Sequence, residues 1–413
     1  MAKQYVLRRS AFRSADITLP TSKSISNRLL LINVLCHSPY KPENISDSDD
    51  TRVMLKAVES DCSLVDVGAA GTSMRFLTAY LALLPGEHII TGSERMKQRP
   101  IGLLVDALRT LGADIQYVEN EGFPPLKIVG KELQGGKVTL PGNVSSQYIS
   151  ALMMIAPMVK GGLYIELEGK INSRPYIAMT LATMKSYGVQ GEWNDHTINI
   201  PEGRYTPVQN RVEADWSAAS YWYEMAALCP QCKFHLIGLE RESLQGDSAV
   251  RTIAENLGVK TEFCADGIII NKTKDTTAHF TYDFSSQPDL AQTFVVVCCL
   301  MDVKFNFTGL ESLKIKETDR LGALIAELRK LGYVLSTNNI DALSWSGERT
   351  EPDNQPVINT YKDHRMAMAF MPAVAALPDM GITIDDPDVV SKSYPMFWRD
   401  MQSAGLAMDE KNI

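Results

Sequence analysis

Four short segments of the chain set polar or cationic side chains directly ahead of an apolar run. They are Thr21-Ser22-Lys23-Ser24-Ile25-Ser26-Asn27-Arg28, Gly68-Ala69-Ala70-Gly71-Thr72-Ser73-Met74-Arg75, Ser145-Ser146-Gln147 and Asp363-His364-Arg365. Each reads as the start of a helix, where unpaired N–H groups and the helix dipole favour negative charge. Lysine and arginine at such a start add charge-assisted bonds to carboxylate or phosphate, bidentate in the case of arginine. A single segment of this kind is better explained by capping without a ligand, since Ser, Thr and Asp cap helices for their own sake. Four in one chain point to small anions as ligands.

A fifth segment, Lys314-Ile315-Lys316-Glu317-Thr318-Asp319-Arg320-Leu321, carries more chemistry. On a helix running from Glu317 to Leu331, Lys316 and Arg320 are four apart and Glu317 and Arg320 three apart, so all three share a face. A carboxylate held between two cations is oriented and stays ionised until a proton is needed. The plain alternative is a solvated, salt-bridged turn.

Other chemistries find little support. No GxGxxG follows a strand and no GxxxxGK[ST] occurs, so neither a dinucleotide cofactor nor a P-loop nucleotide is expected. There is no HExxH, the six histidines are dispersed, and Cys229-Pro230-Gln231-Cys232 is a lone CxxC without a second pair, so no metal and no cofactor are expected. The net charge of −8 offers no basic surplus for nucleic acid, although local cations can still gather small anions.

The elements that must position these side chains leave a periodic trace. Leu111-Gly112-Ala113, Tyr187-Gly188-Val189, Leu257-Gly258-Val259, Leu331-Gly332-Tyr333 and Ala404-Gly405-Leu406 each end a helix-like run and precede an alternating stretch. Their glycines recur every 70 to 76 residues, which predicts left-handed helix caps in a repeated helix–strand unit. Helices are expected over Pro100–Leu111 and from Asp363 to Leu377, and strands over Val138–Leu140, Leu163–Leu167 and Gly267–Ile270. Such units are too small to close a core alone, so an α/β architecture of stacked units is expected. At 413 residues the chain exceeds one ordinary core. Lys3, Arg8, Arg9 and Arg13 near the start, with no apolar core, do not make a signal peptide. The longest apolar stretch, Thr293–Met301, is too short to span a bilayer. A cytoplasmic enzyme is expected.

Taken together, Leu19 to Arg28, Ala70 to Arg75, Gln98-Arg99-Pro100-Ile101-Gly102, Val144 to Gln147, Lys316 to Leu321 and Tyr361 to Met368 resemble the EPSP synthase family of enolpyruvyl transferases, in order and over nearly the whole chain. The resemblance implies two similar domains, each of three βαβαββ units, an inside-out α/β barrel with helix starts directed at an interdomain cleft. One domain would be 21–213 and the other 1–20 with 214–413. The implied reaction joins the 5-hydroxyl of shikimate 3-phosphate to C2 of phosphoenolpyruvate, with loss of phosphate, by a monomer that needs neither membrane nor nucleic acid.

Residue by residue, the resemblance assigns Lys23, Ser24, Arg28, Ser145, Ser146, Gln147, Ser173, Tyr176, Asp289, Ser312 and Lys316 to shikimate 3-phosphate. It assigns Lys23, Gly71, Arg99, Gln147, Arg320, Arg365 and Lys392 to phosphoenolpyruvate. Asp289 would accept the hydroxyl proton, Glu317 would move a proton at the methylene carbon, and Lys23 would stabilise developing charge. The same resemblance implies inhibition by glyphosate at the phosphoenolpyruvate site. Ala69, Phe76 and Ser312 depart from the family pattern, where Asn, sometimes Pro, and Asn are usual. The rivals are a UDP-N-acetylglucosamine enolpyruvyl transferase, whose loop cysteine has no counterpart near Gln98-Arg99-Pro100, and an inactive binding homologue, which retention of the charged positions opposes.

Overall fold

A computed structural model describes residues 3–8, 10–60, 63–377 and 379–412, so Arg9 and Cys62 lie outside the described residues. The chain divides into one unit of Met1–Pro20 with Glu213–Ile413 and another of Thr21–Val212. Glu213, expected to end the inserted segment, belongs to the first unit, where Ser243 Oγ donates to its carboxylate at 2.6 Å. The two ends of that unit's break are tied together by Asp215 N–H donating to Pro20 O at 2.8 Å.

Among the described residues, five four-stranded sheets share one plan, in which two parallel strands are followed by two antiparallel ones. The inserted unit has Leu64–Asp66, Gly86–Thr91, Leu126–Gly130 and Asp114–Tyr117 in that spatial order, then Gln134–Pro141, Lys160–Glu168, Thr197–Ile200 and Glu192–Asn194. The first unit has Ala15–Thr18, Lys233–Ile237, Gly267–Lys272 and Val259–Phe263, and then His279–Asp283, Lys304–Thr308, Leu343–Trp345 and Ser336–Thr337. Its third sheet has Val357–Ile358, Ile382–Asp385, Lys3–Arg8 and Ala407–Asn412, so the N-terminal strand completes a sheet begun near the C-terminus. Each parallel pair requires a crossover, and a helix supplies it. Besides its two sheets, the inserted unit has the helices Lys23–Leu35 and Asp49–Glu59 and a parallel bridge between Glu43 and Arg211. A third four-stranded sheet is not seen there among the described residues.

The helices fill the units and the sheets cover them. All ten residues of Ala291–Leu300 are buried, and Trp216–Leu228 is buried nearly all round, as a helix without a polar face requires. The strands instead alternate, as in Lys304–Thr308, where Phe305 and Phe307 are buried while Lys304 and Asn306 are exposed.

The periodic glycines do what their spacing predicts. Gly112, Gly188, Gly258, Gly332 and Gly405 all have positive φ, from 80° to 109°. At four of them the helix closes in the same way: Gly112 N–H donates to Arg109 O and Ala113 N–H to Leu108 O, with matching pairs after Gly188, Gly332 and Gly405. Helix boundaries differ from expectation in three places. The first begins at Gly102 rather than Pro100. The second begins at Arg320 rather than Glu317, because Asp319 has extended backbone and caps it by accepting from Gly322 N–H. The third, after Asp363, breaks at Phe370 and resumes at Ala373, the interruption falling at Pro372, which lacks a backbone N–H.

Candidate functional site

In every sheet the chain passes from its first strand into a helix, and again from its second strand into a helix. The side chains singled out in the sequence stand at these joints. The first joints hold Gly71, Ser145 to Gln147, Asp289 and Arg365, and the second hold Arg99, Ser173 with Tyr176, Lys316 to Arg320, and Lys392. Lys23 to Arg28 open the helix Lys23–Leu35. Two joints carry residues that sequence reasoning passed over, Asp215 before Trp216–Leu228 and Asp247 before Val250–Ile253.

In the inserted unit, five helix starts are linked by direct contacts. Lys23 Nζ lies 3.1 Å from the buried carboxylate of Asp50. Arg28 is buried, and its guanidinium donates to Thr180 Oγ1 at 2.8 Å, Ser24 O at 2.8 Å, Ser150 Oγ at 3.1 Å and Tyr176 O at 3.3 Å. Among the described residues no carboxylate pairs with it. Burial pulls its pKa down to about 10, which leaves it charged at neutral pH. Phe76, one of the departures, is buried with its ring 5.5 Å from that guanidinium, a cation–π contact.

Gln147 Nε2 donates to Thr72 Oγ1 at 2.8 Å, joining the starts of Ser146–Ile155 and Gly71–Leu81. Ser145 caps its helix by accepting from Gln147 N–H, and Ser146 is buried. Ser173 precedes Arg174–Ser186, makes no side-chain capping bond and has a left-handed backbone (φ 53°), strain of a kind that collects at functional sites. Arg99 lies against Gly71 so closely that a Cβ there would sit 2.6 Å from its Nη1. Ala69 is exposed at the edge of this loop.

In the first unit, two carboxylates lie inside a ring of cations. Asp289 is 3.1 Å from Arg320 Nη1, 2.9 Å from Arg365 Nη2 and 3.8 Å from Lys316 Nζ. Glu317 is 3.0 Å from Arg320 Nη2 and 2.5 Å from Lys392 Nζ. The expected cation pair around Glu317 is therefore corrected: Arg320 is one partner, but the other is Lys392, because Lys316 precedes the helix and turns to Asp289. Asp363 does more than cap. It accepts from Arg365 N–H at 3.0 Å and holds Arg320 at both oxygens, 2.7 and 3.3 Å. Burial opposes the Arg320 charge, but Asp363, Glu317 and Asp289 outweigh it and raise its pKa. His364 is buried beside Asp363, at 3.6 Å. Tyr221 accepts from Arg365 Nη1 at 3.3 Å, and burial pushes its hydroxyl up to about 12. Ser312 is half-buried in the 3₁₀ turn Glu311–Ile315, which leads into Lys316.

The arrangement suits two jobs: holding anions, and placing one carboxylate to accept a proton and another to exchange one. A family model described as EPSP synthase (3-phosphoshikimate 1-carboxyvinyltransferase) matches residues 58–401. The chain belongs to the EPSP synthase family. Across 406 residues it is 54% identical to a 3-phosphoshikimate 1-carboxyvinyltransferase of Bacteroides fragilis, covering 98% of each chain. It is 37% identical to that of Shewanella denitrificans, covering 96% of this chain and 98% of the relative. A solved EPSP synthase from Acinetobacter baumannii superposes with a TM-score of 0.77 over 99% of this chain and all of that one. At 20% identity that likeness speaks for the fold alone, and it agrees with the two-domain enolpyruvyl transferase architecture expected from the motifs. Among the described residues no helix is long and apolar enough to cross a membrane.

Residues missed by sequence reasoning left faint signals. Asp50 sits in the acidic run Asp47 to Asp50, which reads as an ordinary helix start. Tyr221 and Asp247 carry no local motif at all.

Proposed function

We propose that the chain transfers the enolpyruvyl group of phosphoenolpyruvate to the 5-hydroxyl of shikimate 3-phosphate, releasing phosphate. The observation that carries the reading is the cation ring of Lys316, Arg320, Arg365 and Lys392 around Asp289 and Glu317 in a member of the EPSP synthase family. Without substrate, the carboxylates serve as counter-ions to the cations. An incoming phosphate and carboxylate take over Arg320, Arg365 and Lys392, which weakens the hold on the two acids and lets them exchange protons.

Asp289 then accepts the proton of the attacking hydroxyl as the oxygen bonds to C2. Glu317, which takes up a proton from solvent once the donor has drawn Arg320 and Lys392 away from it, delivers that proton to the methylene carbon, giving a tetrahedral adduct. In the second step phosphate leaves from C2, taking up the proton that Asp289 had accepted, and Glu317 takes a proton back from the methyl carbon, restoring the double bond. Lys23 and Arg99 meet charge developing on the donor, and Lys23 also contacts the acceptor. Ser145, Ser146 and Ser173 hold the acceptor's phosphate, Gln147 stacks on it and bridges to the donor, and Ser24, Arg28, Tyr176 and Ser312 complete its site. Support for the anion role of Arg28 comes from its buried charge, which among the described residues has no carboxylate partner, since buried charges are ordinarily paired. Much of the rate comes from holding two reactants in register.

Acceptor choice tests the reading. Purified protein is given phosphoenolpyruvate with either shikimate 3-phosphate or UDP-N-acetylglucosamine, and products are identified by mass. An enolpyruvyl adduct of shikimate 3-phosphate alone is expected. An adduct of the sugar nucleotide, or of neither, overturns it.

A further inference from the structure

Outside the strand-to-helix joints, one cluster brings together side chains far apart in sequence. It lies on the sheet of Ala15–Thr18, Lys233–Ile237, Gly267–Lys272 and Val259–Phe263. His235 is in the middle of its strand and pairs in register with Asp16 on the parallel neighbour. Cys264 and Asp266 occupy the turn between the two antiparallel strands. That turn is fixed by Cys264 N–H donating to Gly267 O and by Gly238 N–H donating to Asp266 O. His235 Nε2 is 3.0 Å from Asp266 Oδ1 and 3.4 Å from Cys264 Sγ, and the sulfur is 3.5 Å from the same carboxylate oxygen. The other ring nitrogen, Nδ1, is 3.2 Å from Asp16 Oδ1.

We propose that His235, Cys264 and Asp266 form a surface site for a divalent metal ion of the zinc class, with Asp16 orienting the imidazole. Bond lengths of about 2.0–2.1 Å to nitrogen, 2.0–2.2 Å to oxygen and 2.3 Å to sulfur give a tetrahedron with edges of roughly 3.3–3.6 Å. Two of the three donor separations already have these lengths, and the nitrogen–oxygen pair needs to open by only a few tenths of an ångström. A carboxylate on the far nitrogen is the usual support of a metal-binding histidine, because it fixes the N–H there and turns the Nε2 lone pair to the ion. One sulfur, one imidazole and one carboxylate suit zinc or cobalt and not the all-oxygen preference of magnesium or calcium.

On binding, Cys264 gives up its thiol proton to solvent and the fourth position is left to water. Cys264 and Asp266 are exposed, so the ion has direct access. The ion would clamp the turn and, through Asp16, the strand that ends just before the chain leaves this unit at Pro20. Sequence spacing hid the cluster because the sheet alone unites positions 16, 235, 264 and 266.

The test uses the full chain after chelator treatment, titrated with Zn²⁺ against a chromophoric chelator, with Mg²⁺ in parallel and Co²⁺ for its absorption spectrum. One Zn²⁺ per chain with micromolar or tighter affinity, no comparable Mg²⁺ binding, and a thiolate-to-cobalt charge-transfer band are expected. His235→Ala and Cys264→Ser should each weaken Zn²⁺ at least tenfold, and Cys264→Ser should remove the cobalt band. No saturable Zn²⁺ binding, no thiolate band in the unaltered protein, or binding that survives both substitutions overturns the proposal.

Discussion

A methyl group at position 71 would meet Arg99 at 2.6 Å from Nη1, 2.9 Å from Nη2 and 3.0 Å from Cζ. Arg99 is itself buried, so its guanidinium can only move off the place from which it is proposed to hold phosphoenolpyruvate. Gly71→Ala should therefore raise KM for phosphoenolpyruvate about 5- to 30-fold, the equivalent of one to two kcal/mol, and weaken glyphosate as well. Steady-state kinetics checks this, and an unchanged KM would remove Gly71 and Arg99 from the donor site. Asp247 makes a different kind of prediction. Its carboxyl is fully buried, Ser217 Oγ donates to one oxygen, and the other has no hydrogen-bond partner among the described residues. Burial and then the negative charge of Asp289 raise its pKa from 3.8 to about 7, against the pull of Arg365 and the Ser217 hydrogen bond and with a smaller push from Asp215. A raised folded-state pKa means a contribution to stability that is complete below pH 4 and lost as pH rises through 7. Asp247→Asn, which cannot ionise, should flatten the loss of stability between about pH 4 and 7 in denaturant titrations. An identical pH profile in the variant would show that Asp247 does not titrate there.

The glycine that ends each repeated helix is the element-scale feature most open to measurement. At Gly112 φ is +91° and a Cβ would have nothing within 4 Å, so substitution meets no clash and only the backbone preference. Gly112→Ala should cost about 1–2 kcal/mol of stability while leaving turnover unchanged, as read by denaturant midpoint and by assay. A neutral midpoint would mean that the left-handed cap is not held. These caps were legible in the sequence because a left-handed residue leaves a mark that does not depend on tertiary contacts. The start of the helix at Arg320 was not. Helical spacing around Lys316, Glu317 and Arg320 was a sound reason to place them on one face, and the groups do converge. They do so through the extended Asp319 cap and through Asp289, a residue 27 positions before Lys316, whose contact with these cations no helical spacing reveals. Sheet pairing was legible only as strands. The order in each sheet, and the use of Lys3–Arg8 to finish a sheet with Ile382–Asp385, are long-range pairings that a period of two cannot specify.

Across the whole molecule, a net charge of −8 coexists with cations concentrated at the strand-to-helix joints. That explains how an acidic chain can hold anionic reactants: the relevant field is local, and carboxylates such as Asp50, Asp289, Glu317 and Asp363 occupy the cations until ligand arrives. The charged candidate positions could be read from the motifs, whereas the pairing of Asp50 with Lys23 and of Asp363 with Arg320 came only with the fold. The central claim is that these joints couple phosphoenolpyruvate to shikimate 3-phosphate. Its most direct test is the release of inorganic phosphate from phosphoenolpyruvate by the purified chain, followed with and without shikimate 3-phosphate. Release is expected only when both are present, and should fall at least tenfold in Lys23→Met protein that still folds. Release that ignores shikimate 3-phosphate, or none from folded protein given both, would contradict the account.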